Sequence, residues 1–204
     1  MITNVLVFIT VIVSITAFQR TDVFSKLLFN AYAVKHNKQW ERFFSYALVH
    51  ADWPHLILNM IAFWSFGHAL EDYYFVDLFG RRADQYFILL YIGGAAAACI
   101  PSYLKHKDNS HYNSVGASGA VSAVVFSCIL IDPLQPIAFM FAIQLPGIVF
   151  GILYLAYSWY MDKKAVDNIG HDAHFWGAVY GMAFTILLEP RIVQVFFQRI
   201  LMIF

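Results

Sequence analysis

The apolar residues of this chain come in separate runs, each close to the roughly 17–25 residues needed to cross the hydrocarbon core of a bilayer. Six runs can be read: Ile2 to Phe18, Pro54 to Phe75, Tyr86 to Leu104, Val115 to Ile131, Ile137 to Met161 and Ala173 to Leu188. Composition agrees, with 60% hydrophobic and 13% charged residues among 204, against about 45–50% and about 25% in a soluble domain. The expectation is an all-α membrane protein in which one bundle of six transmembrane helices forms a single domain over residues 1–204.

The first run reads as a retained helix rather than a cleaved signal, because no Lys or Arg precedes it and no A-x-A-type site follows. A net charge of zero provides no basic patch, so nucleic acid is not expected as a partner. Cys99 and Cys128 both fall inside spans, where free cysteine behaves as a small hydrophobe. The longest link, Gln19 to Trp53, contains FFSYALVHADW. That stretch is too aromatic to lie in water and is expected to pack on the bundle or rest in the membrane interface.

Alternation of six helices puts the starts of spans two, four and six on one membrane face. Each start carries polar residues: His55 and Asn59 in PHLILN, Ser118 in GASG, and His174 in HDAHFWG. Polar side chains inside a membrane are costly and tend to mark function. His55 and Asn59, four residues apart, share one helix face. Ser118 is flanked by Gly116, Ala117, Gly119 and Ala120, and small residues let another helix approach closely. In span six, His174, Gly177 and Gly181 share a face. A close crossing of spans four and six would bring His174 to Ser118.

Serine within reach of a neutral imidazole is the minimal activated nucleophile. Attack on a carbonyl also needs donors aimed at the developing oxyanion, each typically worth about 2.7–4 kcal/mol. His55 and Asn59 are side-chain donors of the right kind, and amides at the helix N-terminus near Ser118 add to them. Singly, each residue has a plainer explanation. A serine in a transmembrane helix can bond back to the preceding turn, a glycine pair can be ordinary helix packing, and Glu71 is most simply an end-of-helix charge paired with a neighbour or water. The coincidence on one face is what argues for a site.

HLILN, GASG and AHFWGAVYG, in that order on three alternate helices, resemble the rhomboid intramembrane serine proteases, over nearly the whole chain to Leu188. The resemblance implies the six-helix bacterial core type, with Ser118 as nucleophile, His174 as general base and no third acid. It places His55, Asn59 and the Ser118 backbone amide as oxyanion donors, and Gly116 as the first glycine of the G-x-S-G motif. Gly119, Gly177 and Gly181 become packing supports. It further implies transmembrane protein substrates cut near the membrane surface, small side chains at the cut site, and no metal or other cofactor.

Three features depart from that pattern. Trp40 and Arg42 are separated by Glu41, where the family often has Trp-Arg in its first loop. Position 122, where some members carry a tyrosine stacked on the histidine, is serine, so Phe175 or Trp176 is expected to support the ring. Charge conflicts too: nine of the 13 Lys and Arg (Arg20, Lys26, Lys35, Lys38, Arg42, Lys105, Lys107, Lys163 and Lys164) lie on the active-site face, and Arg81, Arg82, Arg191 and Arg199 on the other. A plain positive-inside count puts the site in the cytoplasm. The family resemblance implies a bacterial inner membrane with the site facing outward, and this orientation is adopted because five of the nine sit in the long first link.

A histidine-ligated metal enzyme would draw on His171 with His174, or His50 with His55, among eight histidines, but H-E-x-x-H is absent and acidic ligands are few beyond Asp172. GASGA also lacks the last glycine of the G-x-S-x-G elbow of soluble hydrolases. A non-catalytic binder of transmembrane segments would usually have lost the serine or the histidine. Access from the bilayer requires a moving element, and span five, interrupted by Pro146 and Gly147, is the expected one.

Overall fold

The computed structural model describes residues 1–139, 143–164 and 170–202. Helix α1 (Ile2–Gln19) is followed by a folded link: α2 (Thr21–Leu27), β1 (Phe29–Asn30), α3 (Ala31–Asn37), α4 (Arg42–Ser45) and a 3₁₀ turn, Tyr46–Leu48. Helix α5 (Trp53–His68) runs through a π-helical stretch (Ala69–Tyr74) into α6 (Phe75–Phe79) and, past Gly80, into α7 (Ala83–His106). The chain reverses there. Phe63 and Phe87 stack with centroids 6.3 Å apart, although a straight helix would separate them by about 36 Å at 1.5 Å per residue. Gly80 makes the reversal with φ of 53°. After β2 (Asn113–Ser114) come α8 (Ser118–Ile131), β3 (Pro136–Phe139), β4 (Ile143–Pro146), α9 (Gly147–Lys164), α10 (His171–Leu188) and α11 (Arg191–Leu201).

Two helical stretches are long and apolar enough to cross a membrane, Ile2–Gln19 and Trp53–His106. A third is Asp172–Leu188 with Arg191–Leu201, bent by 111° at the break before Arg191. Helix α8 and residues Gly147–Met161 are apolar but shorter. The protein is a helical membrane protein, with two short ladders added to the all-α expectation.

One of those ladders corrects the reading of span five. Strands β3 and β4 pair antiparallel, with Pro136 opposite Pro146 and Phe139 opposite Ile143. The helix starts at Gly147, ten residues later than the apolar run suggested. Pro146 and Gly147 therefore mark its boundary and do not interrupt it. A proline amide cannot continue a ladder or a helix, and the amides of Gly147 and Ile148 bond instead to the carbonyls of Gln135 and Pro133, at 3.0 and 2.8 Å. Periodicity could not separate strand from helix here, because both are apolar.

Helix α8 lies at the centre and is buried on every side from Gly119 to Ile131, which is why its residues show no polar face. Its neighbours approach through small residues. From α10, Gly177 rests on the carbonyl of Gly119 and Gly181 on the backbone of Ala123. From α7, Gly94 meets the Ala123 methyl, and the Ala98 methyl fills the space above Gly119. Lower down, Thr185 donates to Ser127 at 2.9 Å, and Ser127 reaches the carbonyls of Ala123 and Gly181.

The first link is a folded cap. Phe29, Tyr46 and Val49 are buried, and β1 pairs with β2, Phe29 opposite Ser114. Asn30 caps α3 through the Ala33 amide and donates to Ser110, Tyr112 and Asn113. Arg42 is itself buried and donates to the carbonyls of Ser25 and Leu28, so the loop is fastened despite the missing Trp-Arg pair. Lys35 is paired with Asp108 at 2.5 Å. The side chains of Lys163 and Lys164 lie outside the described residues.

Glu71 is almost fully buried. Its carboxylate accepts from the Met1 ammonium and from the Ile2 and Thr3 amides, the latter at 2.8 Å, and so caps α1. At the same end of the bundle, Arg199 of α11 pairs with Asp132 at 2.7 Å, holding the C-terminal helix against the foot of α8.

Gly181→Val would drive a side chain into the Ala123 backbone; the expected cost is about 1–3 kcal/mol, the usual range for overpacking. Thermal unfolding in detergent of Gly181→Val against wild type measures it.

Candidate active site

Three helix starts converge. Helix α5 begins with Asp52 accepting the His55 amide at 2.8 Å, an N-cap that fixes the turn carrying His55. One turn on, buried Asn59 donates to the His55 carbonyl at 2.8 Å, so one of its two amide hydrogens steadies the helix. In the first turn of helix α10, Asp172 accepts the Ala173 amide at 2.8 Å and the hydroxyl of Ser102. Tyr112 in turn donates to Ser102 at 3.0 Å. His174 follows, half-buried.

Helix α8 begins at Ser118 itself, after a turn that only glycine permits. Gly116 has φ of 112°, and a Cβ there would collide with the His55 ring. Its amide donates to the Tyr46 carbonyl at 3.0 Å, tying the turn to the first link.

His55, Asn59, Ser118 and His174 all line one cavity of about 310 Å³, together with apolar side chains of α5, α8 and α9. The residues singled out from sequence thus come from three helices to one place. The helix crossing responsible is the one their spacing implied, with Gly177 and Gly181 of α10 set against Gly119 and Ala123 of α8.

Comparison with known proteins then places the chain. Residues 37–191 match the Rhomboid domain. The chain belongs to the rhomboid family. It is 25% identical over 147 residues to RHOMBOID-like protein 12, mitochondrial, of Arabidopsis thaliana, covering 65% of this chain and 41% of that protein. It is 27% identical over 156 residues to Rhomboid protease GluP of Bacillus subtilis (strain 168), covering 74% of this chain and 27% of that protein. The chain thus spans less than half the length of either relative.

Ring support in this rhomboid differs from the sequence expectation. Phe175 and Trp176 pair edge-to-face with each other, 5.5 Å apart. The ring stacked on His174 is Tyr154 of α9, at 5.7 Å and 19°, and its hydroxyl shares a 2.9 Å hydrogen bond with Ser122. Position 122 therefore holds the tyrosine instead of being it. The signal was faint: a hydroxyl at position 122 and a tyrosine in span five, with nothing in the sequence to pair them.

The His50–His55 pair behaves differently from a metal box. His50 and His55 meet edge-to-face at 5.0 Å, and both ring nitrogens of His50 are engaged, one with Ser14 and one with the Ala117 amide. His50 has no lone pair left to offer a metal. Among the described residues no three His, Cys, Asp or Glu side chains converge; the side chain of His171 lies outside them.

Gly116→Ala combines an unfavourable φ with a clash against His55. The expected loss is about 1–3 kcal/mol of stability, the range for a residue forced into a sparsely populated backbone region, measured by thermal unfolding of the purified protein.

Proposed function

We propose that this rhomboid is an intramembrane serine endopeptidase that cleaves transmembrane segments of membrane proteins through a Ser118–His174 dyad. The observation that carries this reading is a single cavity bounded by Ser118, His174, His55 and Asn59. The Ser118 Oγ attacks the scissile carbonyl while His174 takes its proton, and the imidazolium then gives that proton to the departing amine. Water, activated by the same histidine, hydrolyses the acyl-serine and restores the hydroxyl.

The oxyanion forms at the N-terminus of α8, where the helix dipole favours negative charge. The Ser118 amide, the His55 ring and the second hydrogen of the Asn59 amide are the donors. Tyr154 keeps the His174 ring in its plane. A peptide bond in a helix hides its carbonyl in an internal hydrogen bond, so substrates with helix-weakening residues near the membrane surface are favoured, with small side chains at the cut.

The chain is read as crossing the membrane six times, in a bacterial inner membrane, with the cavity toward the extracytoplasmic side. Entry is from the bilayer between α5 and α9. Leu58, Ala62, Phe66 and Phe150 border both the site and an adjoining cavity of about 680 Å³, so these side chains form the seam between the two spaces. Disulfide cross-linking of Leu58→Cys to Phe150→Cys should stop cleavage and reduction should restore it; full turnover in the cross-linked state would remove the gate.

The deciding experiment is cleavage of a model transmembrane substrate in liposomes. Ser118→Ala and His174→Ala should each abolish it, by a factor on the order of 10³ or more, with EDTA having no effect. Tyr154→Phe should stay within about 10-fold of wild type while Tyr154→Leu falls further, because the first keeps the ring and loses one hydrogen bond of about 0.5–1.5 kcal/mol. Cleavage that survives Ser118→Ala would sink the dyad, and absence of cleavage by wild type would leave a binder of transmembrane segments.

A further inference from the structure

His50 belongs to the first link and is fully buried, yet the chemistry proposed above assigns it no part. Its surroundings form a directed chain of hydrogen bonds. The Ala117 N–H points at His50 Nε2, 3.2 Å away. An N–H can only donate, so Nε2 carries a lone pair and no proton. The proton of the neutral ring therefore sits on Nδ1, which lies 3.0 Å from Ser14 Oγ and donates to it. Ser14 in turn donates its own hydrogen to the Leu48 carbonyl at 2.9 Å. Every donor in this sequence has one acceptor, and reversing the Ser14–His50 link would put the ring proton on Nε2, face to face with the Ala117 N–H.

The chain of bonds connects three elements: α1 through Ser14, the first link through Leu48 and His50, and the start of α8 through Ala117. Ala117 is fully buried and directly precedes Ser118. First-turn amides of a helix have no partner inside it, and α8 has no side-chain N-cap of its own. His50 supplies that partner from outside the helix. A second tie runs in parallel, from the Gly116 amide to the Tyr46 carbonyl, so the turn before Ser118 is gripped by the first link at two consecutive amides.

We propose that His50, as the neutral Nδ1–H tautomer, is a positioning residue that fixes the Gly116–Ala117–Ser118 turn and so aims the Ser118 hydroxyl and amide into the cavity. The inference rests on the protease reading for its consequence but not for its geometry. Burial, with the His55 ring beside it, pushes His50 down to about 3, so the ring stays neutral and Nε2 stays an acceptor at any pH at which a protease in a cell membrane works.

Two measurements test it. The first is ¹⁵N NMR of ring-labelled histidine in the intact wild-type protein, with His50→Gln to assign the signal. The expected result is a proton on Nδ1 and none on Nε2, unchanged from pH 7 to pH 5; an Nε2–H tautomer or an imidazolium would overturn the proposal whatever the protein's activity. The second is kinetics on the model substrate. His50→Leu, with no acceptor, and His50→Asn, too short to reach the Ala117 amide, should lower kcat by about 10- to 100-fold with KM nearly unchanged, the scale of a misplaced reacting group. His50→Gln, whose Oε1 reaches the Nε2 position, should recover most of it. Equal loss in all three variants would reduce His50 to packing, as would wild-type turnover in a folded His50→Leu. If His50→Leu does not fold, the Gln-against-Asn comparison and the tautomer still decide. Ser118-independent cleavage by the wild type would fail the protease reading while leaving the tautomer result to stand or fall alone.

Discussion

Backbone touches backbone where α10 crosses α8, and most of the molecule follows from that contact. Gly177 and Gly181 sit directly on the carbonyls of Gly119 and Ala123, a separation that no side chain would allow. In a membrane, burying apolar surface gives helices little reason to associate, so close packing and interhelical hydrogen bonds have to hold them. The two glycines provide the first, and the Thr185–Ser127–Gly181 bonds below them provide the second. The same approach sets His174 beside the start of α8, so the contact that holds the bundle together also assembles the cavity.

Around this crossing, polar groups are spent sparingly and mostly at helix ends. Asp52, Asp172 and Glu71 each satisfy first-turn amides, which would otherwise be left without partners at the edge of an apolar medium. The first link is the largest investment of this kind. Arg42, Asn30 and Ser45 bind its loops to themselves and to the α7–α8 connection, producing a rigid lid over the start of α8. Its lysines and arginines are thereby partly committed to structure: Arg42 is buried against carbonyls and Lys35 faces Asp108. A positive-inside count treats such charges as free loop charges.

Helix α9 stands apart from the crossing. It carries Phe150 and Tyr154 to the cavity wall and leaves Ile152, Leu153, Tyr157 and Trp159 exposed, a face suited to lipid. Its beginning is defined by strand β4, not by continuity with α8. The helix proposed as the gate therefore also holds a ring stacked on His174.

Much of this was legible in the sequence, for a physical reason. Crossing a bilayer demands long apolar runs, so helices α1, α5, α7 and α10 announce themselves, and the rarity of polar groups inside them makes His55, Asn59, Ser118 and His174 conspicuous. Helical spacing then says which residues share a face, and small residues say where a neighbour can come close. Spacing along one helix carries no information about which side chain on another helix will meet it. That is why Tyr154 was missed and Phe175 and Trp176 were expected instead, and why His50 looked like half of a metal pair before its two nitrogens were found bonded to Ser14 and Ala117. It is also why the apolar strands β3 and β4 passed for helix: apolarity fixes the solvent of a segment, while strand or helix is chosen by the partners available to its amides. The sequence alone determined that the chain lives in a membrane and which residues are costly there; only the tertiary structure decided which of them touch, because contacts between helices are set by packing across the bundle.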